Sequence, residues 1–507
     1  MKLQISKARP DGFDCGIVAV GLYERKAEAG GAKHALIKHV DGGIALDKAL
    51  GGEISRQIAS EPFKGERHTH RMLFTAGRIP ARFVLLIGMG PKSDISLDVL
   101  REVGGTIAKA ARNVRAKTAA LVLERGQVDE LPAPERARAI AEGAILAGYA
   151  FERYKTDDED RPAPLAGLHF LYDGSSAPVR AACEQARVIA QAQNVARDLT
   201  NTPGQDATPR MISSFAKGVA AKHGLAFKAL GKEAIAKESM GGLLAVARGS
   251  SEQPAFITLT YKPKGKRAKK LAIVGKGVTF DSGGISIKPS RGMSEMKSDM
   301  AGAAACIAAM QAIAQLKPGV EVTAYIPAAE NMPDGKAVKP GDVVKMRNGK
   351  TVEIISTDAE GRLLLADALS YAADRKPDAI VDLATLTGGA VYCCGELYTI
   401  AVGNDQKLID KLFKSAEHAG ERMWQLPMVE EYKKGYTSGI ADLNNTGKSK
   451  AQTIMGAIFL REFVGDAKWV HLDIAASSWS DAAREWDPKG ATGCMVRTLV
   501  DFAMNFK

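Results

Sequence analysis

Apolar and polar positions along this chain follow two alternating periods, and their succession predicts layers of strands and helices. Short apolar runs rich in β-branched residues predict strands at Ile17 to Leu22, Arg82 to Gly88, Ala119 to Glu124 and His169 to Tyr172. Between them, Leu97 to Val114 and Pro134 to Tyr149 place apolar residues at helical spacing. A long helix is predicted from Pro178 to about Asp198. A second series follows, with strands at Ala255 to Tyr261, Leu271 to Val274, Glu321 to Ile326, Ile380 to Leu383 and Val470 to Ile474, and helices such as Met296 to Leu316. The pattern is that of an α/β protein with two domains, each a mixed sheet flanked by helices. A charged, proline-containing stretch at 156–164 reads as a loop. The expected domains are residues 1–172 and 173–507, with the helix at 178–198 linking them.

Length and composition agree with this reading and narrow the function. At 507 residues the chain exceeds what one core holds. A hydrophobic content of 46% with 25% charged residues describes a soluble globular protein. No uninterrupted apolar run reaches the roughly 18 to 20 residues of a membrane span. The first nine residues, MKLQISKAR, hold no apolar signal core, so a cytoplasmic location and no membrane partner are expected. Six cysteines without a CxxC pattern read as reduced, buried thiols, and Cys393-Cys394 as a packed pair. A net charge of +11 raises the question of nucleic acid, but the excess is spread along the chain without a basic run or interleaved aromatics. The expectation is a basic solvated surface in place of a DNA-binding domain. His68-Thr69-His70 reads as a surface strand and His471 as a core histidine.

Candidate chemistry is concentrated in two stretches. In Ser356-Thr357-Asp358-Ala359-Glu360-Gly361-Arg362-Leu363, two carboxylates and a guanidinium occupy alternate positions after a strand-like run from Gly349 to Ile355. An extended backbone would turn Asp358, Glu360 and Arg362 to one side, just before a helix predicted from Leu363 to Ala372. A solvated acidic turn is the alternative. Upstream, an apolar strand runs into a glycine-rich loop bearing Lys276, Asp281 and Lys288, and Asp299 follows. A phosphate-binding loop is a weak reading, because the GxxxxGK[ST] order is lacking. Asp281, Asp299, Asp358 and Glu360 suffice to hold two divalent cations, which sit about 3.5 to 4 Å apart in hydrolytic two-metal sites. There is no HExxH, and none of the eight histidines lies near the carboxylate motifs in sequence.

Together these stretches resemble the leucine aminopeptidase family, cytosolic two-metal exopeptidases with an Asn-Thr-Asp-Ala-Glu-Gly-Arg-Leu signature. Similar wording recurs in order at Asn194 to Pro203, Gly275 to Lys288, Met296 to Ala305, Ala328 to Pro333, Pro340 to Ala368, Asp382 to Gly388, Trp469 to Ala475 and Ala491 to Leu499. Ser356 departs from the signature by standing where the family has Asn; its hydroxyl can still bond a neighbouring backbone group. The resemblance implies a C-terminal catalytic domain in which Lys276, Asp281, Asp299, Asp358 and Glu360 ligate two ions, manganese or zinc. It implies that Lys288 stabilises the developing oxyanion, that Arg362 holds a bicarbonate acting as general base, and that a hydroxide bridging the metals attacks the first peptide bond. A lysine ligand needs a lowered pKa, and an ordinary surface charge is the alternative reading of Lys276. Met296, Thr385, Gly388 and Ala475 would line the pocket for the first side chain, favouring Leu or another apolar residue. Peptide substrates and a homohexamer are likewise implied. Two rival functions are a two-metal phosphoesterase and a non-catalytic or bifunctional DNA-binding regulator.

Overall fold

The computed structural model describes residues 1–24, 41–60, 63–123, 131–157, 164–265, 268–447 and 450–506. They form two compact units, Met1–Gln191 with Ala483–Pro488, and Ala192–Ala482 with Lys489–Lys507. The helix Ser176–Asn201 crosses the division. Residues 158–163 of the loop expected at 156–164 lie outside the described residues.

The first unit is built on the strands β1 (Lys2–Ser6), β2 (Ile17–Leu22), β3 (His70–Phe74), β4 (Phe83–Gly88), β5 (Thr118–Val122) and β6 (Gly167–Leu171), in the order β1-β6-β5-β2-β4-β3. Neighbours are parallel except for β3 against β4, so the sheet is mixed. Successive side chains of a strand face opposite ways, and both faces are covered. Ile17 and Ala19 join a core with the helices Leu97–Asn113 and Ala133–Ala147, while Val18, Val20 and Leu22 pack with Leu46, Ile54 and Ile58 from two shorter helices and with Leu50 between them. Arg101, fully buried, is neutralised by Glu142 at 2.9 Å and Asp98 at 2.7 Å.

The second unit holds a nine-stranded mixed sheet of β7 (Ala226–Leu230), β8 (Ala255–Tyr261), β9 (Lys270–Gly275), β10 (Gly277–Asp281), β11 (Glu321–Asn331), β14 (Ala379–Ala384), β15 (Thr399–Gly403), β16 (Met423–Gln425) and β18 (Trp469–Asp473). The small strands β12 (Val343–Lys345), β13 (Thr351–Glu353) and β17 (Leu443–Asn444) form a separate sheet. In the main sheet β18, β14, β9, β11 and β10 run parallel, so their C-terminal ends open on one edge, the place where α/β sheets present ligand-binding loops. The helical stretch Met293–Leu316 is long and apolar enough to cross a membrane, but 83% of its apolar window is buried within the protein, as in a core helix.

Four local expectations are corrected. The strand expected over 349–355 is reduced to Thr351–Glu353, so strand alternation does not arrange the carboxylates beyond it. The helix expected from Met296 begins at Ala301, and Met296 and Asp299 belong to a preceding 3-10 segment, Met293–Met300. His68 is in a turn with φ of 64°, outside the strand that starts at His70, so the two imidazoles do not share a strand face. Cys393 is exposed and Cys394 half-buried, so they are not a packed pair; among the described residues no disulfide joins the six cysteines, and Cys15, Cys183 and Cys306 are buried.

Candidate metal centre

Two strand ends, a 3-10 segment and a turn bring the charged residues together. Lys276 directly follows β9, Asp281 ends β10, Asp299 lies in the 3-10 segment, and Asp358 and Glu360 lie in the turn before the helix Gly361–Ala373. Carboxylate oxygens of Asp281, Asp358 and Glu360 lie within 4.8 Å of one another. The Lys276 ammonium lies 2.7 Å from Asp299 Oδ2 and 2.9 Å from Glu360 Oε1, and donates to the Thr385 carbonyl at 2.9 Å. Lys288 Nζ is 2.9 Å from Asp281 Oδ2 and 2.5 Å from Asp358 Oδ1. Lys276, Asp281, Asp299 and Glu360 are buried. This rules out the surface-charge reading of Lys276 and the solvated-turn reading of Glu360.

Such a concentration of buried anions is costly unless cations accompany it. Burial, and then the neighbouring Asp281 carboxylate, push Glu360 above the usual carboxylate range despite Lys276. Burial also outweighs Lys276 in raising Asp299, and Asp358 is raised chiefly by burial. Burial alone would lower Lys276, but Asp299, Glu360 and Asp281 prevail and hold it as an ammonium; Asp281 does the same for Lys288. The donor set fits hard or borderline divalent cations. It is rich in carboxylate oxygen, and Glu360 Oε2 is buried without a hydrogen-bond partner.

The supporting side chains come from distant segments. Asn331, ending β11, donates from Nδ2 to Asp281 Oδ1 at 2.8 Å and to the Thr357 carbonyl at 3.0 Å. The Thr357 hydroxyl donates to the Gly283 carbonyl at 2.6 Å and accepts from Ser286 N–H at 2.8 Å, lacing the two ligand-bearing loops together. Ser356 Oγ accepts from Asp358 N–H at 3.2 Å, the local support expected of its hydroxyl. The buried Asn445 clamps the same turn: its Oδ1 accepts from Ile355 N–H at 2.8 Å and its Nδ2 donates to the Ser356 carbonyl at 2.6 Å. Gly361 leaves room for Lys276, since a Cβ there would lie 2.5 Å from Nζ.

Arg362 is held away from direct pairing with the carboxylates. Its Nη1 donates to Tyr436 Oη at 3.0 Å and to the Asn445 carbonyl at 2.9 Å, and its Nε is buried without a partner. Met296, Thr385 and Ala475 are half-buried and Gly388 is exposed, and the Thr385 hydroxyl donates to Asp299 Oδ1 at 2.7 Å. Asn331, Thr357, Asn445 and Tyr436 were not singled out from the sequence. Asn331 lies in the Ala328 to Pro333 stretch, Thr357 in the signature stretch at 356–363 and Asn445 in an Asn-Asn-Thr-Gly turn at 444–447.

Comparison with known proteins gives one consistent result. Residues 194–500 match the Cytosol aminopeptidase family, catalytic domain, and residues 19–158 match that family's N-terminal domain. A probable cytosol aminopeptidase of Geobacter sp. (strain M21) is 43% identical over 457 residues, covering 90% of this chain and 92% of the relative. One from Alkaliphilus metalliredigens (strain QYMF) is 39% identical over 510 residues, covering 100% of each. Among solved structures, the bottromycin maturation enzyme BotP in complex with Mn has a TM-score of 0.84 at 34% identity, covering 97% of this chain and 99% of that one. A mutant of tomato leucine aminopeptidase has a TM-score of 0.89 at 33% identity, covering 99% of this chain and 96% of that one.

Proposed function

Given that the chain belongs to the cytosol aminopeptidase family and is a metal-dependent exopeptidase, we propose that it releases N-terminal Leu or another apolar residue from peptides through two divalent ions. Asp281, Asp299, Asp358, Glu360 and Lys276 would hold the ions, and the complex of BotP with Mn favours manganese over zinc. The observation that carries this reading is the convergence of four carboxylates on two lysines where parallel strands end. Bound cations supply a water-derived nucleophile near neutral pH and polarise the peptide carbonyl.

The remaining work belongs to the chain. Lys276 serves as a ligand only after losing its proton, which requires bound cations to replace it as counter-charge to Asp299 and Glu360. Lys288, less buried than Lys276 and held protonated by Asp281 and Asp358, offers fixed positive charge to the developing oxyanion. Arg362, anchored through Nη1 and with a buried Nε that has no partner, would hold an anion such as bicarbonate, which would supply a general base when bound. Met296, Thr385, Gly388 and Ala475 receive the first side chain, and a free α-amine is required. We place the protein in the cytoplasm as a homohexamer.

Metal-stripped protein reloaded with manganese is expected to hydrolyse leucine p-nitroanilide, and acetylation of the substrate amine to abolish cleavage. The proposal fails if the loaded protein cleaves neither the anilide nor a panel of unblocked dipeptides. Turnover of an aryl phosphate in their place would identify a phosphoesterase.

A further inference from the structure

Asp473, the last residue of β18, is fully buried, makes no ion pair with a described residue, and turns both carboxylate oxygens onto two loops. Oδ1 accepts from Leu386 N–H at 3.2 Å and from Ala475 N–H at 3.1 Å. Oδ2 accepts from the Thr387 hydroxyl at 2.6 Å, and Thr387 Oγ1 lies 2.8 Å from Thr453 Oγ1. Because β14 and β18 are parallel neighbours with Ala384 opposite Asp473, the segments leaving them emerge side by side, tied by Ile474 N–H to the Ala384 carbonyl at 2.8 Å. One segment begins with Thr385, which contacts Lys276 and Asp299, and ends at Gly388; the other carries Ala475.

Burying an unpaired carboxylate is unfavourable, and here three donors from two loops compensate it. An amide could not replace it, since it offers one acceptor oxygen and would turn an N–H toward another donor. We propose that Asp473 is a positioning residue that fixes the separation between loop 385–388 and Ala475, and thereby sets the size of aliphatic side chain accepted at the substrate's first position. The inference rests on the aminopeptidase reading and on those residues lining its pocket.

Asp473→Asn, Thr387→Val and Thr387→Ser, in the full-length metal-loaded protein, test it with leucyl and alanyl p-nitroanilides. Hydrogen bonds to charged groups are worth about 1.5 to 3 kcal/mol, so Asp473→Asn is expected to lower kcat/KM for the leucyl substrate by about 10- to 100-fold. The loss should fall mainly on KM and shrink the leucyl-to-alanyl preference, with manganese content unchanged. Thr387→Val should shift KM and preference in the same direction, and Thr387→Ser should restore the parent values. Loss of metal in Asp473→Asn, or an equal fall in kcat for both substrates with KM and preference intact, would overturn the proposal. If Asp473→Asn does not fold, the Thr387 pair decides: Val and Ser variants with the same preference refute it. Failure of the aminopeptidase reading itself would appear earlier, as inactivity of the parent protein on both substrates.

Discussion

Replacing Asn445 with alanine probes the turn that carries Asp358 and Glu360 without touching a candidate ligand. The side chain is fully buried and makes two short bonds to that turn, to Ile355 N–H at 2.8 Å and the Ser356 carbonyl at 2.6 Å, with longer ones to Ser356 N–H at 3.3 Å and the Ala359 carbonyl at 3.4 Å. At about 0.5 to 1.5 kcal/mol net per good bond, the two short bonds account for roughly 1 to 3 kcal/mol. If most of that loss falls on the ordered conformation of the turn, metal affinity drops by about 10- to 100-fold, the range typical when a group orienting metal ligands is removed. Competition of manganese with a fluorescent chelator reads this directly. An affinity within about twofold of the parent would refute the view that Asn445 orders the ligand turn.

Three further outcomes follow from the same geometry. Gly361→Ala places a methyl group 2.5 Å from Lys276 Nζ; overpacking of about 1 to 3 kcal/mol is expected, with reduced manganese retention, and an unchanged metal content would show that Lys276 has room to move. In the first unit, Arg101→Ala removes the 2.9 Å partner of buried Glu142 and leaves it Arg138 at 3.7 Å, so a loss of about 1.5 to 3 kcal/mol is expected in denaturant unfolding of that unit, and a loss under about 1 kcal/mol would contradict it. Burial alone would lower His471, but Asp382, 2.6 Å from its Nδ1, outweighs it and raises the imidazole above its ordinary value. That pairing therefore stabilises the fold fully below the ordinary imidazole pKa of about 6.5 and is lost as pH rises through the higher folded value. The parent's unfolding midpoint should decline more than that of His471→Gln between about pH 6 and 9; equal declines would refute the pairing.

What could be read from the sequence depended on whether the signal was local. The strands Ile17–Leu22 and Ala255–Tyr261 have the bounds that their apolar runs indicate, because strand pattern and burial coincide there. The glycine-rich stretch after Leu271 to Val274 reads as loop, yet its segment Gly277–Asp281 is the strand β10; a Cβ at Gly277 would lie 2.8 Å from the Pro327 carbonyl, so the glycine permits close strand pairing. Asp358 and Glu360 do approach each other, though for a reason strand alternation did not supply: a turn fixed by Asn331, Thr357 and Asn445. Asn445 lies 89 residues from Ser356 in sequence, a separation invisible to any periodic pattern. The carboxylates themselves stood out because short spacings and family wording carried them. Asp473 lies in the similar stretch Trp469 to Ala475, but no local spacing marks it, since its partners are a hydroxyl and two backbone N–H groups brought together by neighbouring strands.

The most direct test of the metal centre is to measure manganese content and leucine p-nitroanilide hydrolysis together in the parent, Glu360→Ala and Lys288→Ala after identical stripping and reloading. Glu360→Ala is predicted to lose metal and activity together. Lys288→Ala is predicted to keep its metal but slow by about 100- to 1,000-fold, as when one oxyanion-stabilising donor is removed. A Glu360→Ala protein with full metal and parental rate, or a Lys288→Ala protein inactive only because it no longer holds metal, would contradict this division of roles.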